Sequence, residues 1–280
     1  MKVIDGKKIS ETILNTCKTK LRKLSRKPKL SIIIVGNNPA SLTYINKKKQ
    51  AGEYVGIDVE VYHFDKATFG EIEELITRLN NDSSVTGIII QLPLPDLDSY
   101  EICRLIAPSK DVDGLNPINL GNLWLNQDNE LIPATVKAIE YVLKFIATDL
   151  NLNYKEYISG KNILIINKSV IIGKPLAALM AMQDATVILA HSKTQGIGEL
   201  MRFADIIVTA TGQENFINNQ VFKKGVVIID VGYNKTAKRI FGDVGSEINT
   251  DYISYLTPVP GGIGPIGVAC LIENVIDASF

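Results

Sequence analysis

The feature that most restricts how this chain can fold is an alternation of short, β-branched apolar runs with stretches of helical periodicity. Apolar runs at 30–35, 59–64 and 85–90 are separated by helices. The first of these helices starts at Pro39 to Ser41 and ends between Gly52 and Gly56; the second, at 71–79, has an acidic first turn. An amphipathic stretch at 8–25, with Ile9, Ile13, Leu14, Cys17, Leu21 and Leu24 on one face, precedes them. A short helix is expected at 102–107 and a long one at 133–150, followed by a polar, tyrosine-containing connector at 151–161. A second set of runs lies at 162–166, 186–189, 205–211 and 226–230, the first leading through a small-residue turn into an apolar helix that ends at Met182. Apolar runs of this length joined by helices predict parallel sheets with right-handed crossovers. Ligands of such sheets sit beyond the carboxyl ends of the strands.

At 280 residues the chain makes one large domain or two of ordinary size. Its 46% hydrophobic and 21% charged content is that of a soluble globular protein. Thirty basic residues balance thirty acidic ones, which leaves no electrostatic footprint for nucleic acid or an anionic membrane. The N-terminal residues lack the apolar core of a signal peptide and no run approaches a membrane span, so a cytoplasmic setting is expected. Cys17, Cys103 and Cys270 are few and widely spaced, as core residues of a reducing compartment are. His63 and His191 are the only histidines, and neither pairs with a cysteine at ligand spacing, so no metal site is expected.

On a helical wheel at about 100° per residue, Leu42, Tyr44, Ile45, Ala51, Gly52 and Val55 fall in one broad arc. Lys48 lies well inside that arc, Lys49 near its edge, and Lys47 points away. An ammonium held against apolar surface is costly and its pKa falls, so such a lysine exchanges protons near neutrality. The competing reading is that Lys48 runs its stem along the surface and keeps its amine in solvent.

After the run ending at Ile90, two prolines in Gln91-Leu92-Pro93-Leu94-Pro95 stop the strand and leave Gln91 at a ligand crevice. There it can hydrogen-bond a lysine amine and a polar substrate, or else serve loop backbone. In Lys110-Asp111-Val112-Asp113-Gly114, an ion pair within the loop is the cheaper explanation for Asp111. Asp113, beside a glycine, can face the crevice and accept from a ligand's ring nitrogens. Two lone aspartates make a poor divalent-cation site.

Downstream, the strand, the turn through Asn167, Lys168 and Ser169, and the helix opening at Gly173, Lys174 and Pro175 form a dinucleotide-binding arrangement. Its first glycine position is Asn167. The next strand ends in His191-Ser192-Lys193-Thr194, without the acidic residue that would hold a ribose hydroxyl in an NAD site. Ser192, Lys193 and Lys168 offer donors and positive charge, which favours a 2′-phosphate and hence NADP. Gly212 and Gly232 are read as allowing close approach of a planar ring. A loop from Leu256 to Gly267 carries three prolines and four glycines, read as special backbone angles that clamp a ligand. A helix at 268–278 follows it and is expected to pack back on the first set of strands.

Five segments in this order, Tyr44-Ile45-Asn46-Lys47-Lys48, Gln91-Leu92-Pro93-Leu94-Pro95, Lys110-Asp111-Val112-Asp113-Gly114, Asp230-Val231-Gly232 and Thr257-Pro258-Val259-Pro260-Gly261-Gly262-Ile263-Gly264-Pro265, strongly resemble the bifunctional methylenetetrahydrofolate dehydrogenase/methenyltetrahydrofolate cyclohydrolases. The resemblance covers essentially the whole chain. It implies a two-domain α/β protein: a parallel α/β folate domain at 1–138, onto which residues 266–280 pack back, and a Rossmann-like NAD(P) domain at 139–265, with a cleft between them. It implies NADP-dependent oxidation of methylenetetrahydrofolate to the methenyl cation, followed by hydrolysis to formyltetrahydrofolate. It also implies a homodimer formed through the cofactor domain.

By motif match, Lys48 is the acid/base group of the hydrolytic step, Gln91 orients it, Tyr44 packs on the folate and Asp113 binds the pterin. Further folate contacts are implied at Leu92 and Pro93, and at Pro258, Pro260, Gly261, Gly262 and Ile263, which close over the substrate. Cofactor contacts are implied at Asn167, Lys168 and Ser169, at Gly173 and Pro175, at Ser192 and Lys193, and at Thr211, Gly212, Gly232 and Tyr233.

The chain departs from the family pattern in three places. Asn167-Lys168-Ser169 replaces Gly-Arg-Ser, and a lysine is a point charge where arginine forks onto a phosphate. Pro133-Ala134-Thr135-Val136 replaces Pro-Cys-Thr-Pro, and Ile266-Gly267 replaces Met-Thr. These departures frame the alternatives to the bifunctional enzyme: a cyclohydrolase with weak or NAD-dependent dehydrogenase activity, or a folate-binding protein without catalysis.

Overall fold

A computed structural model describes residues 1–127, 131–235 and 239–280. The chain divides into two units, Ser10–Ala134 with Val268–Phe280, and Met1–Ile9 with Thr135–Gly267. The first nine residues therefore go with the C-terminal unit rather than with the strands that follow them in sequence. The cause is β1 (Lys2–Val3), which pairs in parallel with a strand at Ile253–Leu256.

After α1 (Gly6–Leu21), the strands β2 (Lys29–Val35), β3 (Asp58–Phe64) and β4 (Gly87–Ile90) make a parallel sheet in the order β3-β2-β4. The central strand and β4 are almost wholly buried, whereas edge strand β3 has no fully buried residue. Helix α2 (Pro39–Val55) carries the first crossover. Asn38 caps it, accepting from the amides of Ala40 and Ser41, and Pro39 occupies the first helical position, where its missing amide costs nothing. The helix stops at Gly56, whose φ of 106° suits glycine. A Cβ on Gly52 would fall 2.5 Å from Val59 Cγ2, so glycine lets α2 lie close on β3.

Helix α3 (Phe69–Asn81) starts with a capping box between Thr68 and Glu71. Its Ile72, Leu75, Ile76 and Leu79 join Ile33, Ile88 and Ile90 in a dry core, each side chain contributing roughly 1.5–3 kcal/mol. The Lys110 ammonium terminates α3 by donating to the carbonyls of Leu79, Asn80 and Asp82. Two short helices, α4 (Ser99–Cys103) and α5 (Pro117–Trp124), follow β4. The former overlaps the expected 102–107 helix only at Ile102 and Cys103; the latter has no counterpart in the sequence reading.

Helix α6 (Ala134–Asp149) matches the long helix expected from periodicity. The polar connector contains a further helix, α7 (Tyr154–Ile158), capped by Asn153, with Tyr157 and Ile158 buried. The next elements are β5 (Asn162–Ile166), α8 (Gly173–Met182), β6 (Thr186–Ala190), α9 (Ile197–Phe203), β7 (Ile206–Thr209) and β8 (Val226–Asp230). A two-residue pair, β9 (Asn234–Lys235) and β10 (Ile240–Phe241), is antiparallel, and β11 (Ile253–Leu256) completes a six-stranded parallel sheet, β1-β11-β8-β7-β5-β6.

Helix α10 (Ile263–Asp277) begins inside the expected glycine–proline loop. Gly264, Pro265 and Gly267 are helical, and Gly261, with φ 103°, is the one position from Thr257 to Gly267 in the left-handed region. The special backbone of this loop is thus confined to a short turn at its start.

Candidate functional site

In the first unit the Lys48 amine donates to Gln91 Oε1 at 3.0 Å. Lys48 and Tyr44 stand one turn apart on α2, both half-buried, while Lys47 and Lys49 are exposed. Gln91 follows β4, its own amide held by the Ile33 carbonyl at 2.8 Å. Its side-chain nitrogen donates to the Leu92 carbonyl at 2.9 Å, which leaves Oε1 for the lysine. Burial lowers the Lys48 pKa, and the Asp113 carboxylate opposes that shift through space. A glutamine oxygen accepts from amine and ammonium alike, so it fixes the nitrogen without the bias a carboxylate would impose.

The loop carrying Asp113 is fastened from several directions. Gly87 admits Val112, whose Cγ1 lies 2.6 Å from where a Cβ would stand. Gly114, with φ 71°, turns against Ile132 and Pro133. The fully buried Asn274 of α10 donates to the carbonyls of Val112 and Ile132, both at 2.9 Å. Asp111 makes no ion pair within the loop. Its buried carboxylate accepts from the Asn116 amide at 2.7 Å and Asn119 Nδ2 at 3.0 Å, and burial pushes its pKa up to about 6. The neighbouring lysine is spent on α3 instead. Leu92 is half-buried and Pro93 exposed, and the Leu92–Pro93 bond is cis.

In the second unit a cavity of about 300 Å³ opens at the carboxyl ends of β5, β6 and β7. Asn167, Lys168, Ser192 and Thr211 line it, as the sequence suggested. So do His191, Thr194 and Gln213, which the sequence reading did not assign to the cofactor although His191 and Thr194 flank the Ser192–Lys193 pair. Lys193 is exposed and, with Gly212, Gly232 and Tyr233, is absent from that lining. The polar lining residues are amides, hydroxyls, a histidine and a lysine, with no carboxylate to hold a ribose diol, which suits a phosphorylated ribose.

Asn167 organises the turn below this cavity. Its Oδ1 accepts from the Ser169 amide at 2.8 Å, Ser169 Oγ at 2.6 Å and the Gly173 amide at 3.1 Å, while Nδ2 reaches the Ala210 carbonyl at 2.8 Å. A Cβ on Gly173 would sit 1.7 Å from the Asn167 carbonyl oxygen, so glycine sets how closely α8 meets β5. Pro175 is buried in the first turn of α8.

Gly232 makes room for the Asp243 carboxylate: a Cβ there would lie 2.4 Å from it. The turn after β11 is tight in the same way. Thr257 Oγ1 accepts from the Asp230 amide, the Gly261 carbonyl accepts from the Gly6 amide at 2.9 Å, and the Gly262 Cβ position lies 2.5 Å from the Pro258 oxygen. Pro258 and Gly261 are half-buried, Pro260 exposed, and Gly262 and Ile263 buried; Val259–Pro260 is cis. Among the described residues no cluster of histidine, cysteine, aspartate or glutamate could hold a metal, and no helix is long and apolar enough to cross a membrane.

Residues 4–113 match the model of the tetrahydrofolate dehydrogenase/cyclohydrolase catalytic domain, and residues 133–279 that of the NAD(P)-binding domain of the same name. The bifunctional protein FolD of Lactobacillus acidophilus is 40% identical over 98% of this chain and 96% of its own length. The crystal structure of the bifunctional FolD methylenetetrahydrofolate dehydrogenase/cyclohydrolase from Campylobacter jejuni superposes with a TM-score of 0.93 at 39% identity, over 100% of this chain and 98% of that one. That of the Trypanosoma brucei methylenetetrahydrofolate dehydrogenase-cyclohydrolase, complexed with NADP cofactor and inhibitor, gives 0.90 at 31% identity over 99% and 96%.

Proposed function

The chain belongs to the tetrahydrofolate dehydrogenase/cyclohydrolase family, and from that premise we propose how its residues divide the work of a methylenetetrahydrofolate dehydrogenase and methenyltetrahydrofolate cyclohydrolase. The observation that carries the proposal is the Lys48 amine, half-buried, lowered in pKa by its surroundings and fixed at 3.0 Å from Gln91. Hydrolysis of a methenyl cation needs a group that takes a proton from water as the carbon–oxygen bond forms. It then needs a proton for the ring nitrogen that leaves as the five-membered ring opens. An amine whose pKa burial lowers can serve both steps in turn. Gln91 keeps that amine in place, Asp113 accepts from the pterin, and Tyr44 packs against it one turn before the lysine. Leu92, Pro93 and the turn at Pro258, Pro260, Gly261, Gly262 and Ile263 complete the folate contacts.

Oxidation of the methylene carbon uses the second unit, where the cavity residues fit NADP. When bound, NADP supplies the hydride acceptor. Lys168, Ser192 and His191, which line the cavity, would provide charge and donors for a 2′-phosphate, and the Asn167-Lys168-Ser169 turn and the start of α8 would hold the diphosphate. Hydride transfer asks only orientation of the protein, so no further acid or base is assigned to it. A homodimer through this unit and a cytoplasmic setting belong to the same proposal. The half-exposed edge strand β6 supports the former.

One observation favours a second reading. Asn167 Oδ1 already engages three donors of the phosphate turn, which points to a dehydrogenase with weaker cofactor affinity beside an intact cyclohydrolase. Assays of purified protein with methenyltetrahydrofolate, and with methylenetetrahydrofolate plus NADP or NAD, separate the two. Robust NADP turnover removes the second reading. Lys48→Met must abolish hydrolysis in a folded protein, and undiminished hydrolysis there would refute the role given to Lys48.

A further inference from the structure

Two buried carboxylates at the ends of the central strands take no part in the chemistry above. Asp243 has no exposed surface, and its carboxylate accepts from Thr209 Oγ1 at 2.7 Å, the Thr211 amide at 2.6 Å and the Gln213 amide at 3.2 Å. Asp230, also buried, accepts from the amides of Gly232 at 2.8 Å and Val244 at 2.9 Å.

The two interlock. Asp243 fills the space a Cβ on Gly232 would need, and Asp230 Oδ2 lies 2.1 Å from where a Cβ on Gly242 would stand. The Asp243 carbonyl accepts from the Ile217 amide at 3.0 Å, and the Ile217 carbonyl from the Gly245 amide at 2.7 Å, so the segment around Asp243 is itself anchored.

A carboxylate is costly to bury even when hydrogen bonds replace its water, and a neutral side chain could close these strand ends. What the charge adds is a strong hold on particular amides. Those amides flank Gly212, whose φ of 69° bends an otherwise exposed turn, and Thr211 and Gln213 both line the cavity described above.

We propose that Asp243, braced by Asp230, is a positioning residue of the dehydrogenase, holding the Thr211–Gln213 turn in the shape that receives the cofactor. The proposal rests on the assignment of that cavity to NADP.

Steady-state kinetics of the full-length Asp243→Asn variant test it. Asparagine keeps the shape but turns an amide NH2, a donor, toward at least one of the donors. The KM for NADP is expected to rise about tenfold or more, with methenyl hydrolysis in the same preparation within about twofold of wild type. An unchanged KM overturns the proposal, and so does an equal fall of both activities together with the melting temperature, which would mark a merely structural staple. If the variant does not fold, hydrogen exchange in the unaltered, cofactor-free protein decides. The Thr211 and Gln213 amides should exchange about a hundredfold slower than the Gly212 amide between them; equal rates overturn the proposal. Wild-type protein that binds neither NADP nor NAD would instead remove the cofactor assignment on which the proposal stands.

Discussion

Gln91 turns its carbonyl oxygen to the Lys48 amine, 3.0 Å away, because its amide nitrogen is committed to the Leu92 carbonyl. The partner of the Lys48 amine is therefore a neutral acceptor held in one orientation. A carboxylate at position 91 would favour the ammonium form and raise the Lys48 pKa. Gln91→Glu is expected to lower hydrolysis at pH 7 by about tenfold or more, since each unit of upward shift removes roughly nine-tenths of the neutral amine. The loss should be partly recovered as pH rises. A pH–rate profile superimposable on wild type would contradict this.

The same amine is expected to cost stability. Its pKa in the folded chain lies below the ordinary 10.5, so the unfolded chain binds more protons between the two values. Its contribution to stability therefore increases as pH rises through that window. Lys48→Met should raise the melting temperature at pH 7 by a few degrees, on the order of 1 kcal/mol, while abolishing hydrolysis. Calorimetry at pH 7 checks it; a lower melting temperature would mean that the lysine stabilises the helix it sits on.

Lys48, Gln91 and Asp113 each carry a local signal in the sequence: a cation inside an apolar arc, a polar residue pinned by two prolines and a carboxylate beside a glycine. Those signals left ordinary surface roles open for Lys48 and Gln91, and it was the family resemblance that singled them out; the structure joins Lys48 to Gln91. Asp111 was misread because its partners, Asn116 and Asn119, lie on α5, whose one signal is Asn116-Pro117, an amide cap ahead of a first-turn proline. Asn274 could not be read as the anchor of the Asp113 loop, since nothing in an apolar helix over a hundred residues away names the two carbonyls it meets. The Gly232–Asp243 contact is of the same kind: the sequence shows that a glycine is required but not what requires it. Strand β1 has only two residues and so carries no period, and α7 hid in a polar stretch because only two of its five residues are buried.

Asp111 makes a testable contribution to the pH dependence of stability. Burial raises its pKa from 3.8 to about 6, so the folded chain binds more protons in that interval and this group's contribution falls as pH rises from about 4 to 6. The full effect is roughly 3 kcal/mol by the size of the shift. Asp111→Asn should flatten that part of the urea-midpoint profile relative to wild type. Parallel profiles would show that the carboxylate is not protonated in the folded protein over this range.

Gly173 is replaceable only at the expense of the junction between β5 and α8. Its φ is ordinary, so the obstacle is the Asn167 carbonyl oxygen, 1.7 Å from the Cβ position. Gly173→Ala must push α8 away from the strand and break the Asn167–Gly173 hydrogen bond. A loss of about 2–4 kcal/mol is expected, with NADP affinity falling more than hydrolysis does. Denaturation midpoints and cofactor titration measure the two effects separately; an alanine variant with wild-type NADP affinity would show that α8 can shift without disturbing the turn.

Asn274 supports the folate unit from α10. Its single side-chain amide satisfies two backbone carbonyls, Val112 and Ile132, in a fully buried setting. Asn274→Leu is close in volume but leaves both oxygens without a donor, at about 1–3 kcal/mol each. Val112 precedes Asp113, so the loss should reach substrate binding as well as stability. The KM for the folate substrate is expected to rise severalfold while the cofactor KM holds, because the two carbonyls that Asn274 serves, Val112 and Ile132, lie in the same unit as Asp113. Kinetics with each substrate varied in turn, on variants confirmed folded by circular dichroism, distinguish this from general loosening, which would raise both constants together.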